Sequence, residues 1–325
     1  MKRVLDILHM IALPVWVGLN VFVAGLAVFC GYAGHIDHEF MPFAGVVAMT
    51  FPLWYVLSAI FLVINLFLCR WLAIVSAATL LIALKPFLIF SPLNFSKHEL
   101  TDEERERSFK VLSYNVLSFV DAEGMSTTEF NRTLHTILQS DADVLTLLEY
   151  ATHGAPEQFA PKEQVDSFFT MYPYHATCKR GTALFSKRPI LHIVPPNNEP
   201  NNGSIEIFRT SVNDNRPLTI IAVHLESFGL NDSDKELYRS LTTTKALGDT
   251  DKKETMERVR QQLITKLLFA FQHRAWQAKM LRNFVEQMGG DIIICGDFND
   301  VPGCRTVKIL EEVGLKDAYA ETAFG

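Results

Sequence analysis

Five polar residues could carry chemistry in this chain, and each stands where an apolar, β-branched run stops. Asn115 ends Lys110-Val111-Leu112-Ser113-Tyr114-Asn115, and Glu149 ends the run from Ala142. His224 ends Ile220-Ile221-Ala222-Val223-His224. Asp297 and Asn299 lie in Gly296-Asp297-Phe298-Asn299-Asp300, directly after Asp291-Ile292-Ile293-Ile294-Cys295. That last run has the length and branching of a fully buried strand. Sheets place ligand chemistry at the carboxyl ends of such strands, and side chains two apart point the same way. Taken singly, each residue serves equally well as a turn or cap residue. Recurrence at four strand ends makes coincidence a poor account.

A carboxylate pair, two carboxamides and an imidazole suit metal-assisted phosphate chemistry. Mg²⁺, with Mn²⁺ as the alternative ion, prefers carboxylate and amide oxygens and keeps several waters, so Glu149 plus substrate oxygens can hold it. Hydrolysis of a phosphodiester or phosphomonoester needs charge neutralised, an in-line water and a protonated leaving group. An imidazole at position 224 can supply a proton or hydrogen bond near neutral pH. Zinc is disfavoured, because no second His or Cys stands at ligand spacing.

The elements that must position these residues alternate. Phe109–Val116, Asp143–Leu148, Thr182–Ser186, Ile190–Val194, Ile205–Val212 and Leu218–His224 read as strands. Thr127–Gln139, roughly Glu254–Gln287 and Cys304–Val313 read as helices. Asn213-Asp214-Asn215-Arg216-Pro217 is turn chemistry between two strands. The pattern predicts sheets covered by helices. Residues 227–253 are polar, a surface loop or a lid near the site mouth.

Ahead of these elements the chain is apolar. No Asp, Glu, Lys or Arg occurs between Asp6 and Asp37 or from Phe40 to Cys69, and only Lys85 interrupts Trp71–Phe95. Each stretch exceeds the ~20 residues that cross a bilayer. Three transmembrane helices are expected, at about 8–31, 42–68 and 71–93. The first is too long an apolar core for a cleaved signal peptide. Lys2, Arg3 and Arg70 set the N-terminus and second turn inside, which leaves the first loop and everything after residue 95 outside. Lys85-Pro86 reads as a kink near a helix end rather than an ion pathway.

Residues 1–95 hold four Lys/Arg and three Asp/Glu, leaving 26 basic and 33 acidic residues in 96–325, a net of −7. Nucleic-acid binders carry basic faces, so a nucleic-acid partner is not favoured. The five cysteines show no CxxC and no even framework, although Cys178 and Cys304 could pair in an oxidising compartment.

In chain order, Leu112-Ser113-Tyr114-Asn115-Val116, Asp143-Val144 through Glu149, Tyr172-Pro173-Tyr174, Gly181 through Ser186-Lys187-Arg188-Pro189-Ile190, Val223-His224-Leu225 and Gly296 through Asp300-Val301-Pro302 resemble the motifs of the endonuclease/exonuclease/phosphatase superfamily. The resemblance covers about 105–325. It implies an α/β (α+β) fold, a four-layer α/β/β/α sandwich, in residues 108–325, behind a 1–95 membrane anchor and a 96–107 linker. It implies that Glu149 is the principal Mg²⁺ ligand and that Asn115 supports metal and phosphate. Asp297 would orient or deprotonate the attacking water, Asn299 would hold phosphate oxygens as charge develops, and His224 would contact the phosphate and leaving group. Tyr174 would shape substrate binding. Three apolar helices ahead of such a domain resemble membrane-anchored bacterial members, which implies a multi-pass inner-membrane protein with a periplasmic catalytic domain. The implied partners are the membrane and a phosphate-ester substrate, with no protein partner. The alternative is a catalytically inactive binding module of the same fold at the membrane.

The family pattern ends in an Arg-Ile-Asp strand and a Ser-Asp-His tripeptide. After Asp300 this sequence offers Leu315-Lys316-Asp317-Ala318-Tyr319 and no His beyond His273. The expectation is a truncated copy of a longer protein, with a natural degenerate form as the alternative. Hydrolysis by this chain should then be weak or absent. Equal, robust turnover by this chain and by a copy extended with those motifs would overturn that expectation.

Overall fold

The computed structural model describes residues 2–95, 99–120, 130–193, 204–212, 215–229 and 250–324. It divides into two compact units, each discontinuous in sequence: Met1–Lys97 with Ser227–Arg282 and Asp300–Gly325, and His98–Glu226 with Asn283–Asn299. Most of the polar stretch 227–253, and with it the lid expectation, lies outside the described residues.

The second unit is mixed α/β with two sheets. The first sheet contains β1 (Val111–Asn115), β2 (Val144–Leu148), β3 (Tyr174–Thr177) and β4 (Ala183–Ser186) in the order β1-β2-β4-β3. Only β1 and β2 are parallel. The second sheet contains β5 (Leu191–Ile193), β6 (Ile205–Ser211), β7 (Pro217–His224) and β8 (Asp291–Asp297) in chain order. Here β7 and β8 are the parallel pair.

Every residue of β2 is buried, because it packs on both faces. Leu145 and Leu147 face Leu134 and Ile137 of a helix (Arg132–Ser140) and Val165 and Phe168 of another (Lys162–Met171). Val144, with Leu184 of β4, faces Phe208, Ile220 and Ala222 of the second sheet. Each such buried Leu, Ile or Phe contributes ~1.5–3 kcal/mol of apolar burial. Across the same interface Thr146 Oγ1 and Cys295 Sγ are hydrogen-bonded at 3.2 Å. The strand expected to be fully buried, β8, is only half-buried. Among the described residues it pairs on one side alone, with β7, so its other edge lacks cover.

The first unit carries the apolar helices α1 (Lys2–Tyr32), α2 (Phe43–Met49), α3 (Phe51–Leu68), α4 (Arg70–Ile82) and α5 (Leu84–Phe90). Two segments, Ala12–His35 and Phe51–Leu68, are long and apolar enough to cross a membrane, each with hydropathy 2.1. The third expected span is a pair, α4 and α5, bent by 53°. Pro86 explains the break: it donates no N–H and its ring crowds the carbonyl four residues back, at Ile82. The second expected span is likewise interrupted at Thr50, before Pro52. Their outward faces are apolar, with Phe22, Phe29, Val63, Phe67 and Ile74 exposed. Inside, Trp16 Nε1 donates to Asn65 Oδ1 at 2.9 Å, and Asn65 Nδ2 donates to Asn20 Oδ1 at 2.6 Å and Ser76 Oγ at 3.2 Å. This polar chain ties α1, α3 and α4 together where apolar surfaces alone give little specificity.

The second unit also carries α6 (Asp102–Arg107), α7 (Arg132–Ser140) and α8 (Lys162–Met171), whereas the first holds most of a long helix, α9 (Thr250–Met288). The loop after α1 is fastened to it. Lys279 Nζ donates to Asp37 Oδ2 at 2.8 Å and Glu39 Oε2 at 2.6 Å, and Gln272 Nε2 donates to the Glu39 carbonyl at 3.0 Å. Burial alone would raise the Asp37 carboxyl, but Lys279 outweighs it and holds the group below its ordinary range.

Gly296 has φ +143°, and a Cβ there would collide with the Val223 carbonyl of β7. Gly290, ahead of β8, has φ +79° with open space around it. Gly290→Ala should therefore cost only backbone strain, about 1–2 kcal/mol. Gly296→Ala should cost about 3 kcal/mol or more, because a parallel strand must move. Chemical denaturation compares them, and equal losses would contradict this packing.

Candidate active site

The site begins where β1 and β2 end side by side, Asn115 pairing with Leu148 next to Glu149. Asn115 Nδ2 donates to Glu149 Oε1 at 2.9 Å, while its Oδ1 accepts from the Leu117 N–H at 3.2 Å. In this arrangement Asn115 positions the Glu149 carboxylate. His224, at the end of β7 in the other sheet, brings Nε2 to 4.0 Å from the same Glu149 oxygen. Sheet-on-sheet packing thus delivers carboxylate and imidazole to one end of the sandwich.

Asp297 is the register partner of His224 on the adjacent parallel strand. Partners on neighbouring strands lie ~4.8 Å apart and share a face. Asp297 Oδ1 accepts from Asn299 N at 2.8 Å. Asn299 Nδ2 donates to the Leu225 carbonyl at 2.9 Å, and Leu225 N donates to the Asp297 carbonyl at 2.9 Å. Asn299, with φ 50°, therefore locks the ends of β7 and β8 together.

Glu149 has φ 54°, a conformation disfavoured for a residue with a side chain. Its carbonyl accepts from Ser118 N at 2.8 Å, Ser118 Oγ at 3.2 Å and Thr152 Oγ1 at 3.1 Å. Ser118 and Thr152 are the positioning residues that sequence reading missed. A signal existed: each hydroxyl follows its site residue by three positions. The turn between β3 and β4 supplies further support, since Tyr150 N donates to the Gly181 carbonyl at 2.7 Å. In the same turn Arg180 Nη1 donates to Ser204 Oγ at 3.2 Å, and the Ser204 carbonyl accepts from His224 N at 2.8 Å.

Tyr174 is not brought to this site. It pairs with Ser186, which pairs with Val144, so it stands at the level where β2 begins, while Glu149 follows the end of β2. β3 runs in the same direction as β2, both being antiparallel to β4, and Tyr174 begins it.

Burial pushes the Cys295 thiol up to about 11 and, with Glu157 adding to it, the Tyr150 phenol up to about 12. Both stay neutral near pH 7, so the carboxylates of Glu149 and Asp297 are the hard oxygen donors. Such a donor set, with no thiolate, fits an oxygen-preferring divalent ion. All five cysteines are free, including Cys178 and Cys304.

A family model described as the endonuclease/exonuclease/phosphatase family matches residues 112–323. A second, described as a domain of unknown function (DUF8431), matches residues 10–90. No curated protein matches. Similar solved structures include the endonuclease/exonuclease/phosphatase from Beutenbergia cavernae DSM 12333, at 18% identity over 42% of this chain and 44% of that one, with a TM-score of 0.29. ANGEL2, a 2',3'-cyclic phosphatase, matches at 16% identity over 66% of this chain and 63% of that one, with a TM-score of 0.33. The chain thus spans less than two thirds of the length of either structure. Family members are typically hydrolytic phosphoesterases and nucleases that generally use divalent metal ions. With the match running through both sheets and well over half of its length, this chain belongs to the endonuclease/exonuclease/phosphatase family.

Proposed function

We propose that this protein is a membrane-anchored, Mg²⁺-dependent hydrolase of a phosphate ester whose catalytic part lies outside the cytoplasm. The observation that carries the reading is the meeting of Glu149, oriented by Asn115, with His224 from the opposite sheet, beside Asp297. Mg²⁺, when bound, supplies neutralisation of phosphate charge. Glu149 would hold it, and Asn115, which donates to that carboxylate, would support metal and phosphate. Asp297 would orient and deprotonate the attacking water. Its Oδ1 already accepts one N–H, which limits the orientations open to the carboxylate. Asn299 would address phosphate oxygens through the second N–H of its amide, the first being donated to the Leu225 carbonyl. His224 would donate to the phosphate or leaving group. The substrate class stays a phosphodiester or phosphomonoester, and the acidic balance of 96–325 argues against a nucleic-acid duplex.

The domain plan proposed is an anchor over 1–95, a linker over 96–107 and a four-layer α/β/β/α sandwich over 108–325. Two apolar helices and one bent pair support a three-span anchor. The ion pairs of Asp37 and Glu39 with Lys279 support the orientation. The loop after the first span and the long helix α9 must share one side of the membrane, and Lys2 and Arg3 favour the inside for the other end of α1. In a bacterium that assigns α9 to the periplasm.

Hydrolysis of chromogenic phosphodiesters and phosphomonoesters, by the detergent-purified chain and by a copy extended with an Arg-Ile-Asp strand and a Ser-Asp-His tripeptide, tests this. Expected is activity that requires Mg²⁺ and falls at least about 10²-fold in Glu149→Ala and in Asp297→Ala. Activity that survives chelation, or survives both substitutions, would refute it. Mg²⁺ binding without turnover in either form would establish the binding-module reading instead.

A further inference from the structure

Away from Glu149, three side chains of unlike chemistry converge where the edges of the two sheets meet. Cys178 follows β3, the edge strand of the first sheet. His192 is the middle residue of β5, the edge strand of the second, and Glu206 belongs to the adjacent β6. His192 pairs with Phe208, so Glu206, two residues earlier, shares its face of the sheet. Glu206 Oε2 lies 2.8 Å from His192 Nε2, and Cys178 Sγ lies 3.6 Å from the same nitrogen. All the donor atoms fall within 4.8 Å of one another.

Two features separate this group from ordinary packing. The first is its geometry. A Cys–His–carboxylate relay puts thiol and carboxylate on opposite imidazole nitrogens. Here both address Nε2, so sulfur, nitrogen and oxygen aim at one point. A tetrahedral zinc with about 2.3 Å to sulfur and about 2.0–2.1 Å to nitrogen and oxygen needs S···N of about 3.6 Å and N···O of about 3.3 Å. The sulfur–nitrogen separation already meets that requirement, and the Glu206–His192 bond has about 0.5 Å to open. The second feature is burial. The Glu206 side chain is only 4% exposed, and its carboxylate faces the Cys178 thiol and the imidazole, an enclosed charge that a cation would compensate more fully. His192, one third exposed at 33%, leaves a path from solvent and room for a water as fourth ligand.

We propose that Cys178, His192 and Glu206 form a second metal site, for a divalent transition ion of the zinc type rather than Mg²⁺. The thiol–imidazole–carboxylate set is too soft for Mg²⁺ and suits zinc. Binding forms the sulfur–metal bond as the thiol proton leaves to solvent. The ion clips the β3–β4 turn of one sheet to β5 and β6 of the other. That turn also carries Gly181, which accepts from Tyr150 next to Glu149, and Arg180, which holds Ser204. The site thus steadies a flank of the catalytic end without belonging to it.

The experiment uses the chelator-stripped full chain in detergent, with excess Mg²⁺ present, titrated with Co²⁺ or with Zn²⁺. Expected is about one ion per chain and, with Co²⁺, a near-ultraviolet thiolate-to-metal band. Cys178→Ser should abolish the band, and His192→Ala should weaken binding at least about tenfold. Glu149→Ala should keep the band, which separates this site from the Mg²⁺ site. Zn²⁺ should raise the unfolding temperature of the parent chain and not that of the Cys178→Ser variant, a comparison that also shows the variant is folded. Saturating Co²⁺ without a thiolate band, or a band that persists in Cys178→Ser, would overturn the proposal.

Discussion

The rest of the structure depends on the packing of one sheet face on another. Val144 and Leu184 from the first sheet meet Phe208, Ile220 and Ala222 from the second, and this apolar seam fixes which strand ends are neighbours. Each sheet contributes one parallel pair, β1 with β2 and β7 with β8. Parallel neighbours end together, so each sheet offers two polar termini at one level. The seam then sets those levels against each other, with Glu149 and His224 4.0 Å apart as the result. A one-residue slip of any of these strands would turn its buried side chains to the wrong face, so the same apolar pattern that drives folding also aligns the site.

Alignment at the strand ends is held at a conformational cost. Leu117, Ser118 and Phe119 after β1, Glu149 and Ala151 after β2, and Asn299 after β8 all have positive φ. Each such residue costs of order 1–3 kcal/mol and persists only when its surroundings over-determine it. The surroundings are visible: three donors on the Glu149 carbonyl, Asn131 Nδ2 donating to the Phe119 carbonyl at 2.8 Å, and Asn299 bridging to Leu225. The strain therefore lies where rigid presentation of a carboxylate matters, and the hydrogen bonds that offset it are part of the site.

Much of this was readable in the residues, for reasons that also mark the boundary of what was not. β-Branched runs closed by a polar residue located β1, β2, β7 and β8, although among these four only β2 is buried at every residue. Charge-free stretches located the apolar helices, and Lys85-Pro86 marked the kink that is seen as the 53° bend. The helix Lys162–Met171 escaped despite Val165, Phe168 and Phe169 at helical spacing, overshadowed by the motif that follows it. Where a residue falls within its strand is not read from a motif: Tyr174 begins β3, whereas Glu149 follows the end of β2. Ligand spacing along the chain is equally blind to donors that come from two sheets. Cys178 and Glu206 each stand fourteen residues from His192, which resembles no local metal motif.

Asp297 and Asp300 show how far neighbouring carboxylates in one sequence motif diverge in use. Asp300 accepts from Thr306 Oγ1 at 2.6 Å and from Val301 N at 3.0 Å, and lies 3.7 Å from the buried Arg274 guanidinium. That guanidinium also stacks over Phe228 and Phe271 at 4.6 and 4.5 Å. With its side chain 2% exposed, Asp300 is consumed by structure, and removing it would take a carboxylate from beside a buried cation. Asp297 accepts only the Asn299 N–H among the described side-chain hydrogen bonds and sits in register with His224. The motif therefore places its two carboxylates differently: one anchors the chain that follows β8, and the other stands at the strand's end beside His224.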